Sequence, residues 1–559
     1  MATYWVTEVL PIPVTALIPV VMFPVLNVVP AKVITKAYIN DTILLFIGGL
    51  SVAIAIERWN LHRKIALRIL LIVGSEPRWL MFGLMISSWF LSMWISNTAT
   101  TSMLVPIVEA ILVQLKGTHD IVKDQTHSDT FVADNGEITV MVDMKTEKPT
   151  GNVESRDGES KQISNGDESK TQEQNSPASL EVSDDIYNRH YTRMCKALSL
   201  CICYAANAGG MCSLTGTAPN LVLKGQSDIL YEKYGGVSPV NFGSWMGFGL
   251  PLGFIVLIIT WVWLQIFFLR CSDGCTCLKS DSARKKQSSR VKKVIQSEYD
   301  KLGPVTFAQR GVLFVFALLV VLWISRDLGG IGGWGNLFDK GMVKDSTPSI
   351  LCAILLFIIP SSKPDIFCWR DRTPGAERKP YKPLLEWKVV HEKMPWALFL
   401  LIGGGYALAK ACEDSGLSAW VGLQLTVFKD FHPYLMLLIL CYITAAATEV
   451  TSNTAIANLI IPIMSSLALN TGVNPLFYMF PTAIATSFAY MLPVATPPNA
   501  IVFSYGHLRV IDMVSAGFIL NILAVPLLLL ATATWGTAQF DFDVLPDIFR
   551  HNLTLNATI

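Results

Sequence analysis

Two stretches set the terms for this chain: FIVLIITWVWLQIFFL at 254–269 and VLFVFALLVVLWI at 312–324, neither carrying a charge. About 20 apolar residues cross the hydrocarbon core of a bilayer, and apolar runs of this quality recur often enough for roughly ten crossings. Inside that core every backbone N–H and C=O must be bonded within the protein, which leaves very few folds. Only 16% of the residues are charged, against about a quarter in soluble domains. The reading is an all-α polytopic membrane protein in contact with lipid. A net charge of +1 predicts no nucleic-acid partner.

Charge is sorted by loop. The stretches at 58–68, 279–293 and 370–382 are basic, which places them on the cytoplasmic side. Residues 117–187 are rich in Asp, Glu, Ser, Asn, Lys and Gly and poor in aromatics, the composition of a disordered cytoplasmic insert without a catalytic role. At the far end, Asn552 and Asn556 head two glycosylation sequons, which need an extracellular C-terminus. A third sequon, at Asn40, lies too close to an apolar run to be a comfortable acceptor. No basic leader or cleavage site precedes the first apolar run. Cys271, Cys275 and Cys277 cluster beside a membrane exit, where palmitoylated, metal-bound and plain reduced thiols all remain open readings.

A three-part pattern occurs twice. LLFIGGLSVAIAIERWNLHRKIAL (44–67) matches LFLLIGGGYALAKACEDSGLSAWVG (398–422). Each is followed by an apolar segment bearing Ser-Asn-Thr, at Ser96, Asn97 and Thr98 and again at Ser452, Asn453 and Thr454. Each of those is followed by a Pro-Asn break, SLTGTAPNLVL (213–223) and LPVATPPNAIVF (492–503). The flanks of the first triplet fall inside and those of the second outside, so the halves are inverted. Loop charge fits a re-entrant hairpin or two ordinary crossings equally well at 78–116 and at 433–469. Inverted repeats with interrupted helices mark secondary transporters, with the binding site near the midplane.

The expected layout is a first repeat over 1–116 with its hairpin at 78–116, the insert at 117–187, and the rest of the repeat at 188–270. A basic cytoplasmic loop at 271–306, an inverted second repeat at 307–540 with its hairpin at 433–469, and a glycosylated tail at 541–559 complete it.

Proline removes a donor and breaks a helix, so Pro219, Pro497 and Pro498 should leave half-helices whose N-terminal N–H groups attract an anion. The freed carbonyls and neighbouring hydroxyls suit a hard cation such as sodium. No Lys or Arg lies in any of the four motifs, so an anionic substrate would depend on helix ends and co-bound cations. Ser and Thr in membrane helices also bond back to their own carbonyls or pack between helices, a plainer role open to each one taken singly. Glu8, Glu57, Glu109 and Glu449 are apolar-flanked acids; Glu57 and Glu109 stand near cytoplasmic ends, and Glu449 reads equally as a ligand or as a carboxylate satisfied by backbone donors.

ERWNLHRKIALR, LSMWISNTATT, LTGTAPNLVL, TSNTA and MLPVATPPNAIVFSYGHL together resemble the divalent anion–sodium symporters of solute carrier family 13, in their citrate and dicarboxylate branch. The likeness runs almost end to end. It implies an elevator-type homodimer in the plasma membrane that couples sodium to di- and tricarboxylates. It further implies that Ser96, Asn97, Thr98, Thr217, Ser452, Asn453, Thr454, Thr496 and Pro498 contact the carboxylates. One sodium site would use Ser92, Asn97 and the carbonyl of Gly216; the other would use Thr448, Asn453 and the carbonyl of Ala495.

Two departures from the family pattern stand out. The family has one full membrane helix and most of a second before the point matching Tyr4-Trp5, so insertion or dimer stability is where this chain is expected to differ. Ala218 stands where the citrate-preferring relative has Gly, which leaves the order of citrate and dicarboxylate open. The rival readings are a sodium–sulfate cotransporter of the same fold, whose two loops resemble GTSTN and ANPPN, and a transport-impaired truncated isoform. A membrane enzyme is disfavoured: HEKMP (391–395) lacks the second His of a zinc-protease motif, and no G-x-S-x-G occurs.

Overall fold

A computed structural model describes residues 1–7, 9–74, 76–132, 177–269, 281–327, 332–339, 341–363, 382–417, 420, 424 and 431–550. The first half runs α1 (Ala2–Thr7), α2 (Ile12–Val25), α3 (Ala31–Lys36), α4 (Asp41–Arg58), α5 (Leu61–Val73), α6 (Pro77–Ser92), α7 (Asn97–Val132), α8 (Pro177–Gly210), α9 (Ala218–Lys233) and α10 (Phe242–Leu264). The second runs α11 (Asp281–Lys301), α12 (Phe307–Arg326), α13 (Ser346–Ile358), α14 (Trp387–Lys393), α15 (Trp396–Asp414), α16 (Pro433–Thr448), α17 (Asn453–Thr471), α18 (Pro475–Ala485), α19 (Pro497–Ser504), α20 (Val510–Ala531) and α21 (Thr537–Phe540). Among the described residues the only extended pairing is one isolated bridge, Pro360 with Pro383.

Residues 1–114 and 192–559 form one compact unit, and 115–191 a second. Within the latter, the insert at 117–187, expected to be disordered, is helical through Val132 and again from Pro177. The reasons are local: no proline follows Pro106 in α7, and Pro177 sits at a first helical position, where its missing N–H costs nothing. Residues 133–176 lie outside the described residues, as do Cys271, Cys275, Cys277, Glu8, Asn552 and Asn556.

The expected basic loop at 271–306 contains a 21-residue helix, α11. Its basic composition masks an apolar edge, Val291 and Ile295, which is buried where α11 packs on α5.

About ten crossings are expected from the apolar runs. Five helices among the described residues are long and apolar enough to span, or six if the pair α14–α15, bent by 62°, is one span. Ile12–Val25, Ser346–Ile358, Pro433–Thr448 and Pro475–Ala485 are shorter apolar helices. An apolar run interrupted at a triplet or a proline yields half-helices instead of a crossing.

The two Gly-rich segments carry corresponding helix contacts. α4 packs on α13, and α15 packs on α2. A Cβ at Gly48 would fall 2.6 Å from the carbonyl carbon of Ser349, and one at Gly404 would fall 2.6 Å from the carbonyl oxygen of Ala16. Each helix thus presses its glycine directly onto the backbone of a helix from the other half. The halves interlock through the same kind of contact made twice.

At the end that carries the basic stretches, α4 turns into α5 through Asn60, whose φ is 52°. Arg58 bonds Glu386 at 2.5 Å, Arg63 bonds Glu298 at 2.7 Å, and the buried Lys64 ammonium donates to the Gly303 carbonyl at 2.7 Å. A hydrogen bond from Lys301, with Arg63 nearby, holds the Glu298 carboxyl below the usual range, and Arg58 does the same to Glu386. Burial lowers His62 below its ordinary value.

Candidate substrate and sodium site

Both Ser-Asn-Thr triplets stand at the junction of two consecutive helices, the tips of the two expected hairpins. α6 ends at Ser92 and α7 begins at Asn97; α16 ends at Thr448 and α17 begins at Asn453. At 16 residues, α6 and α16 each span about 24 Å, short of a bilayer core of about 30 Å. That length suits an arm that turns back before crossing.

The two tips close alike. The Ser92 hydroxyl bonds Asn97 Oδ1, and Thr448 Oγ1 lies 2.7 Å from Asn453 Oδ1. Thr448 Oγ1 is also 2.9 Å from the carbonyl oxygen of Thr486. A single hydroxyl proton cannot serve both acceptors, so three oxygens converge with lone pairs to spare, a donor set for a hard cation. At the first tip, a Cβ on Gly210 would lie 2.8 Å from Asn97 Oδ1 and one on Gly216 would lie 2.4 Å from the Gly210 carbonyl oxygen. The lack of side chains there brings the end of α8 and the following break against the triplet.

The broken helices are held by two asparagines that the sequence reading left without a role. Asn220 Nδ2 donates to the carbonyls of Gly210 (3.0 Å) and Ser213 (2.7 Å). Asn499 Nδ2 donates to those of Ala489 and Leu492, both at 3.0 Å. Each amide therefore staples the start of one half-helix (α9 or α19) to the carbonyls freed by the preceding break. The signal was present in the sequence: Asn follows Pro at the same place in both Thr-x-Pro-Asn motifs.

The anchoring of the two breaks to their hairpins differs. In the first half the Ser213 hydroxyl donates to the carbonyl of Met93, just beyond α6. In the second half Glu449, just beyond α16, accepts from the backbone N–H groups of Tyr490, Met491 and Leu492 and from Asn521 Nδ2. Of the two readings of Glu449, the structure bears out the carboxylate satisfied by backbone donors. Two of the other apolar-flanked acids are also paired: Glu109 Oε1 lies 2.5 Å from His507 Nε2, and Glu57 bonds Lys393 at 2.7 Å. Tyr204 and Asn207 of α8 reach across to the second break, donating to the carbonyls of Tyr490 (2.9 Å) and Ala489 (3.2 Å).

The remaining expected residues are placed as follows. Ser96 and Thr98 are exposed, while Asn97, Ser452 and Asn453 are half-buried. Thr454, Thr496, Pro498, Gly216 and Ala495 are buried, and Thr217 is half-buried. Thr217 and Thr496 are the N-caps of α9 and α19; Thr496 Oγ1 accepts from the Asn499 N–H at 3.4 Å, and Thr217 makes no such bond. α17 packs against α9, so the second hairpin meets the first broken helix. Ala495 shares the second break with Thr496, its N–H donating to Leu492. Among the described residues no group of three His, Cys, Asp or Glu side chains gathers.

The family model of the sodium:sulfate symporter transmembrane region matches residues 1–540. The Na(+)/citrate cotransporter of Rattus norvegicus is 43% identical over 553 residues, 98% of this chain and 91% of that protein. Solute carrier family 13 member 2 of Homo sapiens is 42% identical, covering 99% of this chain and 90% of that protein. The Na(+)/dicarboxylate cotransporter 3 of Mus musculus is 39% identical, covering 100% and 90%.

Proposed function

The chain belongs to the sodium:sulfate symporter family, within solute carrier family 13, and from that premise we propose that it is a sodium-coupled symporter of di- and tricarboxylates such as citrate and succinate. The observation that carries the reading is the near full-length likeness to cotransporters named for citrate and for dicarboxylate. Sodium is co-transported cargo.

Ser92, Asn97 and the Gly216 carbonyl hold one sodium ion, and Thr448, Asn453 and the Ala495 carbonyl hold the other. The hydroxyl–amide pair at each hairpin tip supports this assignment. Substrate carboxylates bind Ser96, Asn97, Thr98 and Thr217 from one half and Ser452, Asn453, Thr454, Thr496 and Pro498 from the other. No cationic side chain lies in these segments, so helix N-termini and the two sodium ions offset the substrate's charge. Coupling follows: without sodium, a multiply charged anion is left poorly compensated in a low-dielectric site. The protein works in the plasma membrane as a homodimer, with its C-terminus outside and the hairpin-bearing part moving against a fixed frame.

Side-by-side uptake of labelled succinate and citrate tests this. Uptake of both in sodium but not in choline, lost in Asn97→Ala and Asn453→Ala, is the expected result. Absence of carboxylate uptake with the protein at the cell surface, and sodium-dependent sulfate uptake in its place, would overturn it.

A further inference from the structure

We propose that the groove where α5, α6 and α11 meet holds the headgroup of a phospholipid that carries a primary ammonium beside its phosphate. The groove encloses about 490 Å³ and lies apart from the hairpin tips. One wall is apolar: the last turn of α5, with Ile72 73% exposed, and Trp79 of α6. The facing wall is Ser288 and Lys292 of α11, and Glu76 closes the rim.

Three observations point to a headgroup. First, two charges that line the groove are unspent. Arg63 and Lys301 both engage Glu298, whereas Lys292 and Glu76 have no ion-pair partner among the described residues. Second, α6 opens at the groove with Pro77, and Glu76 makes no side-chain cap bond, so a 16-residue helix presents its positive end there uncapped. Lys292 and that helix end suit a phosphate, and Glu76 suits an ammonium. A purely anionic headgroup would meet Glu76 as a like charge, and a choline headgroup offers Glu76 no N–H donor.

Third, the level is right. Trp79 packs against Phe82 (6.2 Å between ring centroids) and Trp261 (5.9 Å), an aromatic cluster of the sort that collects where a membrane meets water. The basic stretches on either side of the groove place it at the cytoplasmic leaflet, on the membrane reading given above.

The test is native mass spectrometry of the purified full chain in detergent, supplied with equal amounts of phosphatidylethanolamine, phosphatidylcholine and phosphatidylglycerol. Micelles have no leaflets, so the outcome is independent of the orientation proposed above. The expected result is preferential retention of phosphatidylethanolamine. Lys292→Glu lowers that retention about fivefold, the weight of one interfacial basic residue. Glu76→Gln removes the preference over phosphatidylglycerol. Equal retention of the three lipids by the unmodified chain, or a preference untouched by both substitutions, would overturn the proposal.

Discussion

The carboxylate of Glu449 accepts the backbone N–H of Tyr490 at 2.8 Å and so ties the tip of the second hairpin to the break in the helix that follows. Met491, Leu492 and Asn521 donate to the same carboxylate. Hydrogen bonds to a charged group are worth about 1.5–3 kcal/mol each, and donors left without an acceptor in a buried place cost about 1–3 kcal/mol each. Glu449→Ala should therefore leave little folded protein at the cell surface. Glu449→Gln, which keeps one acceptor oxygen, should reach the surface at reduced level with an unchanged sodium dependence of uptake. Surface biotinylation with a sodium titration reads both. Full surface expression of the Gln variant together with a shifted sodium dependence would make Glu449 a ligand instead.

The asparagine staples should not be equal in weight. Asn499 shares the second break with the four-donor carboxylate of Glu449, whereas Asn220 shares the first with single hydrogen bonds from Ser213 and Trp245. Removing the Asn220 amide takes the donor from the buried Gly210 carbonyl, at about 1–3 kcal/mol, whereas Ala489 and Leu492 keep the donors Asn207 and Ala495 when Asn499 is removed. Asn220→Ala should lower sodium-dependent uptake per surface molecule further than Asn499→Ala does. Equal losses would mean that Glu449 does not reinforce the second break.

Much of this arrangement could be read from the chain because membrane helices tolerate few exceptions, and each exception leaves a chemical mark. Pro219, Pro497 and Pro498 had to interrupt an apolar run, and they stand in the first turns of α9 and α19, while the two triplets had to lie where backbone and hydroxyls find partners other than lipid. The choice between the two readings of Glu449 could not be made from the chain, since its backbone donors come from residues 41 to 43 positions away and Asn521 from 72. The staples were in view but unassigned: an Asn after Pro looks like any N-terminal turn until the carbonyls it reaches are known. α11 was hidden by its own charge, because only the Val291–Ile295 edge declares a packed helix. Hydropathy alone does not distinguish a full span from an arm that turns back, so the number of crossings was the least legible feature.

Gly48 should tolerate no side chain. A Cβ there would lie 2.5 Å from Ser349 Cβ and 2.6 Å from its carbonyl carbon, whereas one at the neighbouring Gly49 would first meet the Thr215 side chain at 3.3 Å. Overpacking of this kind costs about 1–3 kcal/mol. Thermal unfolding of the solubilised protein should show a clear loss for Gly48→Ala and a smaller one for Gly49→Ala. The reverse order would mean that α4 and α13 are not in register as described.

His62 makes stability depend on pH. It is buried, and burial lowers it below its ordinary 6.5, so below pH 6.5 the unfolded chain binds more protons than the folded one. The stability it contributes is present above 6.5 and is lost as the pH falls through and below that value. Melting temperatures taken at about pH 7.5 and about pH 5.5 should fall on acidification, and fall less in His62→Gln. An identical drop in the variant would place the titrating group elsewhere.

Ala218, the first residue of α9, is buried beside Thr217 and Gly216 where the first break ends. Its methyl group occupies space that Gly would leave open next to a segment proposed to face the substrate. A single methylene-sized difference in a binding site is worth about 1–3 kcal/mol in discrimination. The penalty should fall on the bulkier tricarboxylate, because a dicarboxylate of the same length carries no branch to accommodate. Ala218→Gly should therefore raise the ratio of citrate to succinate uptake, by about tenfold if the methyl costs about 1.4 kcal/mol. The measurement is the two uptakes in parallel at equal surface expression. An unchanged ratio would show that the methyl points away from the substrate and that selectivity is set at the hairpin tips.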